Sequence, residues 1–223
     1  MEVVKISNLT VHNYSTTIPN KEINECIKIL PVEYQKLNSH VFIHVDKKSY
    51  LHFCLKNLRL SDLLTSMIEI VIEKSKCKFR LGVYKIKQDE IHLFEEKIHI
   101  FLLLVENQIV GTDGGEDVTP NIWNEYENMW AKYILMYNLI HELNHAIQSK
   151  RKKLNIKLED LFKTWVHRKH EIDAVSKSEE IYEEYGDEFN KILKTQGIEV
   201  YHNRKNGLNI EYKFNIEVDD KAD

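Results

Sequence analysis

Between Ile122 and about Lys150 the chain carries neither glycine nor proline, and its pattern reads as one uninterrupted helix. Thr119 is placed to cap that helix, and Pro120, whose fixed φ and missing N–H suit a first turn, marks its start. This feature commits the second half of the chain to long helices. A second helix is predicted from about Leu158 to Tyr185, stopped by Gly186. The first half reads differently. Segments of β type at Val41–Val45, Phe79–Ile86, Ile91–Phe94 and Lys97–Val105 are separated in part by short polar breaks, which predicts mostly antiparallel neighbours joined by tight turns. Asn20–Ile29 and Ser61–Lys74 are short helix candidates. Glu106–Asn121 holds Gly111, Gly114 and Gly115 and reads as a long loop, with Gly111–Asp117 a rim or lid. Gly197–Ile216 reads as a closing hairpin around Asn206-Gly207. No repeat or linker divides the chain. The expectation is a single α+β domain over 1–223: a sheet-rich part with short helices (1–120), two long helices (121–195), and a C-terminal hairpin and tail (196–223).

The long helix contains His141-Glu142-Leu143-Asn144-His145, an H-E-x-x-H sequence. Positions four apart on a helix differ by only about 40° around the axis and ~6 Å along it, so both imidazoles can face one tetrahedral metal ion. Glu142 is turned about 100° from His141 and ~60° from His145, close enough to reach a water at that metal without ligating the ion. Chance produces on the order of 0.06 such matches in a chain of this composition, and the motif lies well inside the predicted helix, where the spacing has geometric meaning.

Other function classes recede on composition. The formal net charge is −4, with 31 Lys+Arg against 35 Asp+Glu, so no overall basic field draws the chain onto nucleic acid or an anionic membrane. No apolar run approaches the ~20 residues of a membrane-spanning helix. The first residues lack the basic and apolar regions of a secretory signal, which favours a cytoplasmic protein. Cys26, Cys54 and Cys77 are widely spaced and never C-x-x-C, so they read as buried small apolar residues rather than as a disulfide framework or zinc ligands. Trp123, Trp130 and Trp165 are expected to knit the two long helices into one core.

On the H-E-x-x-H sequence the chain resembles the zincin metallopeptidases. It does not follow the metzincin continuation H-E-x-x-H-x-x-G-x-x-H, because Gln148 and Arg151 stand at the last two defined positions. It is similar instead to gluzincins, whose third ligand is a glutamate from a downstream helix, often in E-x-x-A. Glu171-Ile172-Asp173-Ala174 matches that pattern, and the arrangement looks like that of compact cytosolic members of the ImmA/IrrE type. The resemblance implies a zincin-like fold, a zinc ion on His141, His145 and Glu171, and Glu142 as general base. It also implies a peptide or protein substrate added as a strand along the sheet edge, for which Lys97–Val105 is the expected segment. One position departs: Val175 stands where the family usually has a carboxylate or amide bonded to a ligating histidine, and losing such a partner can cost about 10–100-fold in metal affinity or activity.

A helical wheel bears on the third ligand separately. Leu158, Leu161, Phe162, Trp165 and Ile172 define an apolar stripe, while Thr164, His167, Glu171, Ala174 and Ser178 form another of small and polar residues. The second stripe is either a site-lining face or a solvated one, and Asp173, His167 and His170 remain alternative ligands. Tyr182, Tyr185, Tyr201 and His202 are candidates for an oxyanion donor. The function expected is zinc-dependent hydrolysis of peptide bonds. The alternatives are a zincin-fold binding or regulatory module that cleaves nothing, and a metal hydrolase of non-peptide substrates.

Overall fold

A computed structural model describes residues 2–59, 81–110, 120–151, 168–195, 198–203 and 209–214. The first strands are β1 (Glu2–Ile6) and β2 (Leu9–Asn13), followed by helices α1 (Asn20–Ile29) and α2 (Val32–Gln35). Next come β3 (His40–His44), α3 (Lys47–Lys56), β4 (Gly82–Lys85) and β5 (Glu90–Phe94). Three longer helices follow, α4 (Glu95–Val110), α5 (Pro120–Lys150) and α6 (Lys169–Leu193), and then the strands β6 (Ile198–Asn203) and β7 (Asn209–Phe214). The architecture is α+β.

The five-stranded sheet has the order β1-β2-β3-β5-β4. Its outer pairs, β1–β2 and β4–β5, are antiparallel, while β2–β3 and β3–β5 are parallel. The expectation of a mostly antiparallel sheet is therefore corrected to a mixed one. The reason lies in the connections: α1 and α2 intervene between β2 and β3, and α3 between β3 and β5, supplying the crossovers that parallel neighbours need. The two hairpins turn tightly through Ser7 (φ 54) and Asp89 (φ 53), both in the left-handed region. Asp89 is held there by the Ser39 hydroxyl at 2.6 Å and the Tyr84 phenol at 3.0 Å, both donating to its carboxylate.

Strand alternation gives the sheet two unlike faces. Leu9, Val11, Val41, Ile43, Ile91 and Leu93 point into the main core, where they meet Ile23 and Ile27 of α1, Ile98 and Leu102 of α4, most apolar residues of α5, and Ile181, Phe189 and Leu193 of α6. The opposite face carries His12, His40, Phe42, His44 and His92 in stacked ring contacts, with Tyr50 and Phe53 of α3 laid over them. On that face His44 Nε2 lies 3.0 Å from His92 Nδ1, and His92 Nε2 lies 3.3 Å from Glu90, whose carboxylate pairs with Arg59. Burial, reinforced by His92, pushes His44 down to about 3, and burial lowers His92 as well.

Lys97–Val105 is helix rather than strand: it belongs to α4, and the edge role expected for it is withdrawn. Its continuous apolar run has no period-2 signature, and Ile98, Phe101 and Leu102 fall at i, i+3 and i+4 against the core. Glu95 and Glu96 in the first turn favour a helix start over the tight turn expected there. The loop expected from Glu106 is likewise shortened, because α4 continues to Val110. The expectation placed no element on β1, β2, α2 or α3.

Gly186 does not stop α6, which runs on to Leu193. An interior glycine costs about 1 kcal/mol relative to alanine but breaks no hydrogen bond. The stop comes at Lys194, in the left-handed region at φ 58, where Thr195 N–H donates back to Asn190 O at 2.9 Å. The expected hairpin of 197–216 is present as antiparallel β6 and β7. Cys26, Cys54 and Trp130 are buried as expected. The second helix, expected as one element from about Leu158, is corrected: Arg168 is extended at φ -83 and ψ 124, and α6 starts at Lys169. Ser61–Lys74, Cys77, residues 111–119, residues 158–167 with Trp165, and the Asn206-Gly207 turn lie outside the described residues. No helix among the described residues is long and apolar enough to cross a membrane.

Candidate metal centre

α5 packs on β4 and β5 with one side and on α4 and α6 with others, so from Trp130 to Ile147 it is buried nearly all round. Polar side chains in such a stretch need partners. His141, Glu142, Asn144 and His145 are all buried here.

Asn144 fixes how α6 meets α5. Its Oδ1 accepts from the Tyr34 phenol at 2.6 Å, and its Nδ2 donates to Ser178 Oγ at 3.0 Å and Ala174 O at 3.4 Å. Ala174 and Ser178 are fully buried and small, which lets the two helices approach closely. This register carries Glu171, in the first turn of α6, to the two motif histidines.

Glu171 Oε2 lies 3.0 Å from His145 Nε2 and 3.3 Å from His141 Nε2, and the two Nε2 atoms are 3.1 Å apart. Three ligands at zinc distances of about 2.0–2.1 Å and tetrahedral angles stand about 3.3 Å from one another, so the donor spacing fits such an ion. Among the described residues these three form the group able to hold a metal ion. Burial alone would raise the Glu171 carboxyl, but the hydrogen bonds and charge of His141 and His145 outweigh it and hold it well below the usual carboxylate range. Burial likewise opposes a charge on His145, yet Glu171 and Glu142 together raise it. A concentrated negative field therefore faces the point where a cation would sit.

Glu142 approaches the site from beside β4. A Cβ built on Gly82 would lie 3.1 Å from both Cγ and Oε1 of Glu142 and 2.8 Å from Leu93 Cδ2, so a bare backbone is what admits this carboxylate. Outside the three donors, His145 Nδ1 lies 2.9 Å from Gln148 Oε1, Gln148 Nε2 donates to His170 O at 3.0 Å, and His170 Nε2 lies 3.4 Å from Glu171 Oε1.

The other candidates fall elsewhere. Asp173 is exposed, and Ile172, expected in the apolar stripe, is also exposed because the buried face of α6 is the Glu171, Ala174, Ser178 stripe. His170 touches Glu171 from behind rather than joining the donors. His167 is outside the described residues, as are the side chains of Tyr201 and His202 on β6. Tyr182 packs its ring against Tyr133, Tyr137 and Phe189, and burial pushes its phenol well up. Tyr185 lies against Phe189. Neither ring contact belongs to the donor group. Val175 is buried and bears no polar atom toward a histidine.

Gln148, Gly82, Asn144 and Tyr34 are site-shaping residues that the motif reading passes over. Gln148 follows His145 by the three positions at which helical side chains meet, and Gly82 is an isolated glycine in a strand pattern, a sign of close approach. Comparison of the chain with protein-family models, with curated proteins and with solved structures finds no match.

Proposed function

We propose that the chain is a zincin-like zinc metallopeptidase of the gluzincin kind. The observation that supports this most is the donor triangle of His141, His145 and Glu171, at spacings suited to a tetrahedral ion, with Glu142 alongside on the same helix. Zinc held there supplies a Lewis acid for a carbonyl oxygen and lowers the pKa of a water toward ~7.

The chain's own residues do the rest. His141 and His145 would offer Nε2 and Glu171 a carboxylate oxygen to the ion. Glu142, held between α5 and the Gly82 backbone, accepts a proton from water as its oxygen attacks the peptide carbon. As the C–N bond breaks, the same carboxyl returns that proton to the leaving amine. Among the described residues β4 is paired on one side only, so this strand takes over the edge role for an extended peptide.

Hydrolysis of a quenched-fluorescent peptide mixture by the zinc-loaded protein, compared with Glu142→Gln, tests the proposal. The variant is expected to lose about 10²–10⁴-fold in rate while keeping its metal. Val175 favours a second reading, a zincin-fold module that binds metal and cleaves nothing. Metal binding with equal, negligible turnover by both proteins would select it.

A further inference from the structure

We infer that Gln148 is the positioning residue of the metal centre, setting the tautomer of His145 and tying it to the helix that carries Glu171. This rests on the metal reading above and deepens it. The inference follows from which groups can donate. His170 O is a backbone carbonyl and only accepts, so the Gln148 amide must turn its NH2 toward it, across the 3.0 Å contact. Its Oε1 is then the atom 2.9 Å from His145 Nδ1. An amide oxygen also only accepts, so Nδ1 carries the proton. In the neutral imidazole that a metal ligand requires, Nε2 is then the nitrogen with the lone pair, and it faces His141 Nε2 and Glu171 Oε2.

The same amide couples two helices. It stands on α5, bonds a ligand of α5, and grips the backbone of α6 one residue before Glu171. His170 Nε2, 3.4 Å from Glu171 Oε1, braces the carboxylate oxygen not directed at the histidines. One side chain thus holds a ligand from each helix in a common frame. The polar partner of His145 Nδ1 thus comes from the metal-binding helix itself.

The test is zinc affinity, measured by chelator competition on the full chain for wild type, Gln148→Met, Gln148→Ala and Gln148→Glu, with thermal unfolding of each metal-free protein alongside. Methionine keeps the length and bulk of the side chain without the amide. The expected result is a loss of about 10–100-fold in affinity for the Met and Ala variants, with recovery of most of it by Glu, whose carboxylate again accepts from Nδ1. Metal-free Gln148→Met is expected to melt within a few degrees of wild type, which separates positioning from a folding defect. Zinc binding by Gln148→Met within about threefold of wild type overturns the inference and leaves the metal site standing. Absence of zinc binding by wild type overturns both.

Discussion

Asn144 and Tyr34 offer a calculable test of how the site is assembled. Replacing Asn144 by Leu removes the acceptor of the Tyr34 phenol and the donor to Ser178 and Ala174. Tyr34 is fully buried, so its hydroxyl is orphaned at a cost of about 1–3 kcal/mol. Ser178 loses less, about 0.5–1.5 kcal/mol, because its hydroxyl keeps its own bond to Ala174 O at 2.9 Å. Together they amount to about 1.5–4.5 kcal/mol. Tyr34→Phe in the wild-type background costs about 1–2 kcal/mol, since it strands Asn144 Oδ1. In the Asn144→Leu background, however, it removes an already unpaired hydroxyl and is neutral or stabilising. Urea unfolding of the four proteins, with chelator present so that metal linkage does not enter, should give a coupling of at least about 1 kcal/mol. Additivity within about 0.5 kcal/mol would refute the claim that Tyr34 and Asn144 form a coupled buried pair tying α2 to α5.

Two further expectations follow. Gly82→Ala, whose Cβ would press on Glu142 and Leu93, should lower peptide hydrolysis by about 10–100-fold with zinc content unchanged; loss of zinc instead would place Gly82 in the metal site rather than beside the base. Burial would raise Glu95, but hydrogen bonds from His99, Thr17, Ser15 and Thr16 overcome it and hold the carboxyl at about 2. A depressed carboxylate stabilises the fold above its unfolded value near 4.5 and loses that contribution as pH falls toward the folded one, by up to about 1.4 kcal/mol per pH unit. Glu95→Gln should flatten the urea midpoint between those pH values, and an unchanged slope would show that Glu95 is not the group responsible.

The parts of this fold that are legible in sequence are those where local signals agree. Pro120 and the unbroken pattern after it place α5, and Asn20–Ile29 is found as a helix because its apolar residues keep one period. The β4–β5 hairpin follows from a polar break between two β-rich runs. Lys97–Val105 misleads because an apolar run without period fits strand and helix alike, and the deciding carboxylates Glu95 and Glu96 lie outside it. β1 and β2 are short, and the parallel pairing of β2 with β3 depends on contacts far apart in the chain. The same division runs through the site. His141, Glu142 and His145 are related by helix geometry alone, so their spacing can be read directly. Glu171 needs a second helix in the right register, which the sequence supplies only as a stripe of small and polar residues. Gln148 at i+3 from His145 and Gly82 in a strand pattern carry only weak local signals, and their roles appear when α6 and β4 close on α5.

The most direct test of the central claim is bound metal, measured by elemental analysis on purified wild type, His141→Ala, Glu171→Ala and Glu142→Gln. About one zinc per chain in wild type and Glu142→Gln, lost in the other two, is the expected result for a site with three protein ligands and a carboxylate left free for proton transfer. A wild-type protein that carries no zinc and cannot be loaded, or zinc that survives the removal of His141 and of Glu171, would contradict it.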